Sequence, residues 1–257
     1  MKILSLIIAT VSLALAGASE QVLIEGGEYR PLYMSEDSPM QTVSSFYLDQ
    51  YPVTNQQYLE FVEQNPQWRK TAAPSIFVEQ DYLKHWDSDE SFEAIAAESP
   101  VTYVSWFAAD AYCQSQGKRL PKVAEWELAA LASETQANGS LESGYKQQIL
   151  TWYSKPSPKT LPSVGGSPAN YWGVHDLHGL VWEWTEDFNS TLVTGESRED
   201  STIDTKLFCA GGASGAVDPG DYAAFMRYGF RSSLEAKFTL SNLGFRCASD
   251  MKSANGD

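Results

Sequence analysis

Three cysteines, three histidines and an acid-rich run between residues 176 and 187 are the side chains of this 257-residue chain whose types could do chemistry. Cys113, Cys209 and Cys247 contain no Cys-x-x-Cys pair. With only His85, His175 and His178 beside them, their spacings fit no zinc pattern. A serine or cysteine triad would need one of those histidines, and a non-haem iron triad usually needs two. In an oxidising compartment three thiols allow one disulfide and one leftover, and composition alone does not choose the pair. Asp176, Glu183, Glu186 and Asp187 could supply a general acid–base pair, line a metal or simply be solvated. Trp182 and Trp184 flank Glu183 and read equally as groove walls or core anchors. Arg227, Arg231 and Arg246 are either buried ion-pair partners or a small pocket for an anionic ligand.

The charge balance narrows the partners. Lys and Arg number 18 against 33 Asp and Glu, for a net charge of −15. No basic run exists that could neutralise a phosphate backbone, so no nucleic-acid partner is expected. At the start, Lys2 precedes an apolar run from Ile3 to Leu15, followed by small-x-small sites at Ala14–Ala16 and Ala16–Ala18. This is the pattern of a cleaved secretory signal over residues 1–18. It is shorter than the ~20 residues that span a bilayer. The expectation is a periplasmic or secreted protein, with no membrane span in the mature chain.

These residues need elements to hold them. Val22-Leu23-Ile24 reads as a strand entering a turn at Gly26-Gly27, and Phe46-Tyr47-Leu48 as a second strand. Thr54 can cap a helix, Gln57 can return the bond, and Val53 can staple onto Tyr58. Tyr58, Phe61 and Val62 then share one helical face. Residues 65–99 read as a loop region. Pro100 to Val104 is a strand candidate, after which Ser105 caps a helix through Cys113 that stops at Gly117. Another helix covers 123–132, residues 134–170 read as irregular, and 205–250 as glycine turns between short extended runs. A few compact helices among many short strands predict an α+β fold. No linker splits the chain after the signal, which leaves one domain over 19–257.

Four segments in register resemble the formylglycine-generating-enzyme (sulfatase-modifying factor) family. They are Tyr51-Pro-Val-Thr-Asn-Gln-Gln-Tyr58, Gly117-Lys-Arg-Leu-Pro-Lys-Val-Ala-Glu-Trp-Glu127, Gly173-Val-His-Asp-Leu-His-Gly-Leu-Val-Trp-Glu-Trp184 and Ser241-Asn-Leu-Gly-Phe-Arg-Cys247. By their order and spacing the likeness extends over nearly the whole mature chain, from about residue 22 to 250. The resemblance implies a compact, loop-rich fold related to C-type lectin domains. It also implies a disulfide between Cys113 and Cys247, leaving Cys209 as the odd thiol.

Enzymes of this family oxidise a target cysteine to formylglycine, using copper(I) held by two cysteines five positions apart. Soft thiolates suit that ion. Counting forward from Gly212 puts the two positions at Ala216 and Asp221, and counting back from Arg231 puts them at Asp218 and Ala223. Neither register supplies a cysteine, and Ala213 stands where the family's turn has a serine. Met226 and His178 are the remaining soft or borderline ligands, and each reads more readily as packing or surface. Copper oxidase chemistry is therefore not expected. Asp176, Gly179, Val181 and Glu183 match a family calcium site, with two carboxylates and two backbone carbonyls suited to a hard cation. Trp182, Arg227 and Arg231 match positions near the family's substrate groove.

Two functions of different class follow from the resemblance. The first is an exported accessory or maturation factor without catalysis, a pseudoenzyme that engages a protein or peptide partner. The run Asp221 to Ser233 resembles the NirV group, which accompanies copper nitrite reductases. The second is an enzyme with divergent oxidative chemistry on a peptide-like substrate, as in the PvdO-like branch. Carbohydrate binding through a lectin-like calcium site rests on fold analogy alone.

Overall fold

The computed structural model describes residues 20–31, 40–156, 158, 160–189 and 222–251. Strands β1 (Gln21–Ile24), β4 (Phe46–Asp49) and β7 (Ala248–Asp250) form an antiparallel sheet in the order β1-β4-β7. Its register pairs Val22 with Leu48 and Leu48 with Ala248. The two ends of the described chain therefore meet on either side of β4. Between β1 and β4, β2 (Gly27–Tyr29) and β3 (Gln41–Val43) pair antiparallel. Alternation decides which face is inside: Phe46 and Leu48 are buried while Tyr47 is half-buried. A third, two-residue ladder joins β5 (Trp182–Glu183) to β6 (Leu243–Gly244) in parallel.

The helices start where local chemistry says they should. Thr54 Oγ1 accepts from the Gln57 N–H at 3.2 Å, and Gln57 Oε1 accepts from the Thr54 N–H at 2.9 Å. This reciprocal cap opens α1 (Asn55–Gln64), which buries Tyr58, Phe61 and Val62. Ser105 caps α2 (Trp106–Ser115) by accepting from the Ala108 N–H, and the chain leaves the helix through Gly117 at φ +67°. Helix α3 (Val123–Ala130) is nearly all buried. It closes over the sheet, where Trp126, Leu128 and Ala129 pack with Ile24, Phe46 and Leu48. A larger core gathers Tyr58, Phe61, Trp86, Tyr112, Trp184 and Phe245.

Three expectations need correction. Pro100 to Val104 is not a strand. Its amides are taken singly, the Val101 N–H by the Val53 carbonyl and the Tyr103 N–H by the Leu240 carbonyl, both at 2.9 Å. The apolar run reflects burial of Val101 and Val104, not a ladder. Within 134–170, expected to be irregular, Tyr145–Tyr153 forms helix α4, entered from Gly144 at φ +88°. Within 205–250, expected to be extended runs, Tyr222–Ser232 forms helix α5. Its Gly229 lowers helix propensity by about 1 kcal/mol, and burial of Ala223, Ala224, Arg227, Tyr228 and Arg231 on one side outweighs that. The proposed signal segment, Cys209 and the Gly211-Gly212-Ala213 turn lie outside the described residues.

Cys113 on α2 and Cys247 before β7 form the implied disulfide, with a sequence separation of 134. Both are fully buried in the larger core. Replacing both by serine should cost about 2–4 kcal/mol by freeing that loop in the unfolded chain. Chemical denaturation of the double variant checks this, and a loss under about 1 kcal/mol would contradict it. Gly244 in the same stretch is there for close approach, since a Cβ would sit 2.7 Å from the Val101 carbonyl oxygen.

Candidate functional site

At the parallel ladder β5–β6 two tryptophans sit in different environments, Trp182 within the strand and Trp184 just beyond its end. Trp184 points into the core, wholly buried, with its indole N–H donating to the Val104 carbonyl at 2.9 Å. Trp182 is half-buried, between two rings. It stacks on Phe230 of α5 at 4.6 Å and 20°, and meets Tyr153 of α4 at 5.1 Å and 43°. A small cleft of about 60 Å³ opens here, lined by Trp126, Trp152, Tyr153, Lys155, Trp182 and Asn242. Gly179, at φ +92°, brings the backbone so close to Trp152 that a Cβ would sit 2.9 Å from that side chain. Of the two tryptophans expected near a groove, Trp182 reaches one.

Behind the cleft lies a buried charge cluster. Arg227 and Arg231, four residues apart on α5, share one helix face and meet Glu127 of α3. Arg227 donates through Nε and Nη2 at 2.8–3.0 Å, and Arg231 through Nη1. Both guanidiniums lie over the Trp126 ring, at 5.9 and 4.8 Å from its centroid. Burial pushes the Glu127 carboxyl up, but the two arginines outweigh it and hold it at about 2. Arg227 and Arg231 are thus buried ion-pair partners, and neither lines a described cavity.

His178 is locked into the same cluster. Its Nε2 lies 3.0 Å from the Ala130 carbonyl, which can only accept, so Nε2 carries the proton. Nδ1 then receives the Tyr153 hydroxyl at 2.9 Å, and Tyr153 in turn accepts from Arg227. Burial first, then the Arg227 charge, lowers the imidazole to about 3. A neutral ring with both nitrogens engaged is structural, and His178 has no free lone pair for a metal.

The four calcium-matched positions are distributed as follows. Asp176, at φ +59°, accepts the Gly165 and Ser167 amides on its two oxygens. Glu183 is fully buried and faces Arg246, which donates through Nε and Nη2 at 2.8 and 2.7 Å. The Trp126 indole N–H adds a third bond to Glu183 at 2.8 Å. Arg246 also donates to the carbonyls of Asp49, Gln50 and His175. Gly179 and Val181 occupy the loop between the two acids. The donors are hard oxygens of the right type, but the Glu183 charge is already balanced by a guanidinium. Of the pair, Asp176 has lone pairs to give and Glu183 only what Arg246 and Trp126 leave. Among the described residues, no group of three or more His, Cys, Asp or Glu side chains is placed to hold a metal ion.

The other acids separate. Asp187 accepts the Val123 N–H at 2.7 Å, at the start of α3, and Glu186 is exposed. Ala223, in one register of the copper pair, is buried on α5 with Tyr145 and Ile149 of α4. Ala216, Asp218 and Asp221 lie outside the described residues. Sequence reasoning missed Glu127 and Tyr153. The usable signal for Glu127 was a carboxylate on a helix that is apolar except for it and Glu125, together with two arginines at i,i+4 awaiting a partner.

Residues 12–251 match the family described as "Sulfatase-modifying factor enzyme 1-like domain". Among curated relatives, a serine/threonine-protein kinase pkn1 of Chlamydia caviae is 31% identical over 176 residues, 66% of this chain. The chain spans only 28% of that kinase's length. The formylglycine-generating enzyme of Mus musculus is 28% identical, over 81% of this chain and 67% of the enzyme. The mouse "Inactive C-alpha-formylglycine-generating enzyme 2" is 29% identical over 81% and 76% respectively. Among solved structures, Treponema denticola variable protein 1 superposes with a TM-score of 0.50 at 16% identity, over 90% of this chain and 95% of that one. The last likeness concerns the fold alone.

Proposed function

The chain belongs to the sulfatase-modifying factor enzyme 1-like domain family, and from that premise we propose that it is an exported accessory factor without the family's copper chemistry. One observation carries the reading. Neither alignment of the copper block places a cysteine at the required positions, which are Ala216 and Asp221 or Asp218 and Ala223. Soft-ligand copper chemistry has no donors there. The relative named as inactive supports the same direction, since this scaffold occurs under that description too. The exposed-side ring of Trp182, stacked between Phe230 and Tyr153, is the surface where a peptide segment of the partner would lie. The NirV-like run Asp221 to Ser233 directs the search for that partner toward a copper nitrite reductase system.

The test is metal analysis with thiol counting on protein exported through its own leader. The expected result is one free thiol, from Cys209, with no stoichiometric copper or iron, and a partner protein that co-purifies. One equivalent of copper or iron would overturn the reading. Calcium at Asp176, Gly179, Val181 and Glu183 is a separate proposal, checked on the same sample. Chelation should lower the melting temperature and added calcium should restore it; an unchanged melting curve removes calcium from the site.

A further inference from the structure

The cleft at Trp182 has a charge preference besides its aromatic walls. Of the described residues that line it, Lys155 is the one charged side chain. It sits two positions past the end of α4 and is exposed, and its ammonium makes no ion pair or hydrogen bond among the described residues. The whole chain has 33 acidic against 18 basic residues, so a cleft lined by a lone lysine runs against its overall charge. Asn242 adds a half-buried carboxamide to the same wall, likewise without a side-chain hydrogen bond among the described residues. Both side chains offer N–H donors that the fold leaves unused.

A second source of positive potential lies behind the walls. Trp126 forms part of the cleft, and the Arg227 and Arg231 guanidiniums lie over its ring. Tyr153, another wall residue, accepts from Arg227. Among the described residues, these two positive charges meet the single carboxylate of Glu127. A buried excess is screened far less by salt than a surface charge. Its reach toward the cleft is visible at His178, whose ring stacks on Trp152 of the cleft wall at 5.9 Å and 19°. Burial, then the Arg227 charge, holds that imidazole at about 3. The carbonyl end of α4 works in the opposite sense with about half a negative charge, less than the Lys155 ammonium alone. At about 60 Å³ the cleft admits a small group such as a carboxylate, with the Trp182 and Tyr153 rings beside it for an apolar neighbour.

We infer that this cleft receives a peptide carboxylate, from an acidic side chain or a chain terminus, set next to an apolar residue and drawn in by Lys155. This rests on Trp182 being the peptide surface and adds the charge of the guest. The test is calorimetric titration of protein exported through its own leader with four acetylated peptides. They are acetyl-Gly-Leu-Glu-Leu-Gly-amide, its Gln and Lys analogues, and acetyl-Gly-Leu-Leu with a free carboxylate. The glutamate peptide should bind about fivefold more tightly than its glutamine analogue, and the difference should shrink in high salt. Whichever carboxylate binds more tightly, side chain or terminus, names the source. Lys155→Gln should abolish the preference for glutamate without moving the melting temperature, and Lys155→Glu should transfer it to the lysine peptide. Trp182→Ala should weaken binding of the whole set. Equal binding of the glutamate and glutamine peptides would overturn the carboxylate assignment and leave the Trp182 surface standing. So would a glutamate preference that survives Lys155→Gln. No binding by any of the four would overturn both.

Discussion

Arg246→Met is expected to cost about 3–5 kcal/mol, a large part of the ~5–15 kcal/mol that holds a domain together. The guanidinium is wholly buried, and its removal leaves the Glu183 carboxylate, also 0% exposed, without its counter-charge. Three carbonyls, of Asp49, Gln50 and His175, lose a donor at the same time. Those carbonyls belong to two different segments, so Arg246 ties the end of β4 to the loop before β5. Lysine should not rescue, because an ammonium cannot span Glu183 and the three carbonyls as the planar fork does. Removing both charges, as Glu183→Gln with Arg246→Met, should be less damaging than the sum of the single changes. Urea denaturation of the four proteins gives the coupling. A single Arg246→Met loss below about 1 kcal/mol would mean that the pair contributes little.

Glu127→Gln is the second large effect, again about 3–5 kcal/mol. Among the described residues, two buried guanidiniums share this one carboxylate, two positive charges against one negative. Without Glu127 the two arginines lose the one carboxylate that faces them among the described residues, over the Trp126 ring. The replacement Glu127→Leu with Arg227→Met and Arg231→Met should recover most of the loss, since desolvation of all three charges disappears with them. Acid titration gives an independent readout. The folded carboxyl titrates near 2, below its ordinary 4.5. Its stabilisation is therefore complete above about pH 4.5 and is lost as pH falls toward 2. Glu127→Gln should flatten the stability curve within that window. An unchanged curve would place the acid sensitivity elsewhere.

The failure of these variants would read on the scaffold, and that separates them from function. Trp182 is the contrasting case. It stands half-buried, its ring against those of Phe230 and Tyr153. A stack of this kind rigidifies a surface without spending a hydrogen bond. That suits a wall against which a peptide could be laid, and it leaves the fold to the buried Trp184.

What could be read from the residues in order was chemistry that closes within a few positions. The Thr54–Gln57 cap, the Ser105 cap and the exit at Gly117 each involve groups no more than about four residues apart, so propensity and capping rules suffice. The family motifs placed the Cys113–Cys247 bridge by resemblance, and the missing copper cysteines are a matter of identity alone. The strand expected at Pro100–Val104 failed because burial and a ladder leave the same apolar signature. Only the positions of Val53 and Leu240 reveal that each amide has its own partner. The charged residues show the limit most clearly. Arg227 and Arg231 were visible as either ion-pair partners or a ligand pocket, and no local rule chooses between those. The tertiary structure chose by bringing Glu127 of α3, 100 positions away from Arg227, against the α5 face that carries both arginines. The His85 tautomer has the same origin: the Oδ1 of Asn55, 30 positions earlier, accepts from its Nε2. Local chemistry fixed where helices begin and end. Long-range packing alone decided which polar groups are satisfied and which are left to receive a partner, because a buried charge or lone pair is priced by every group the fold brings near it.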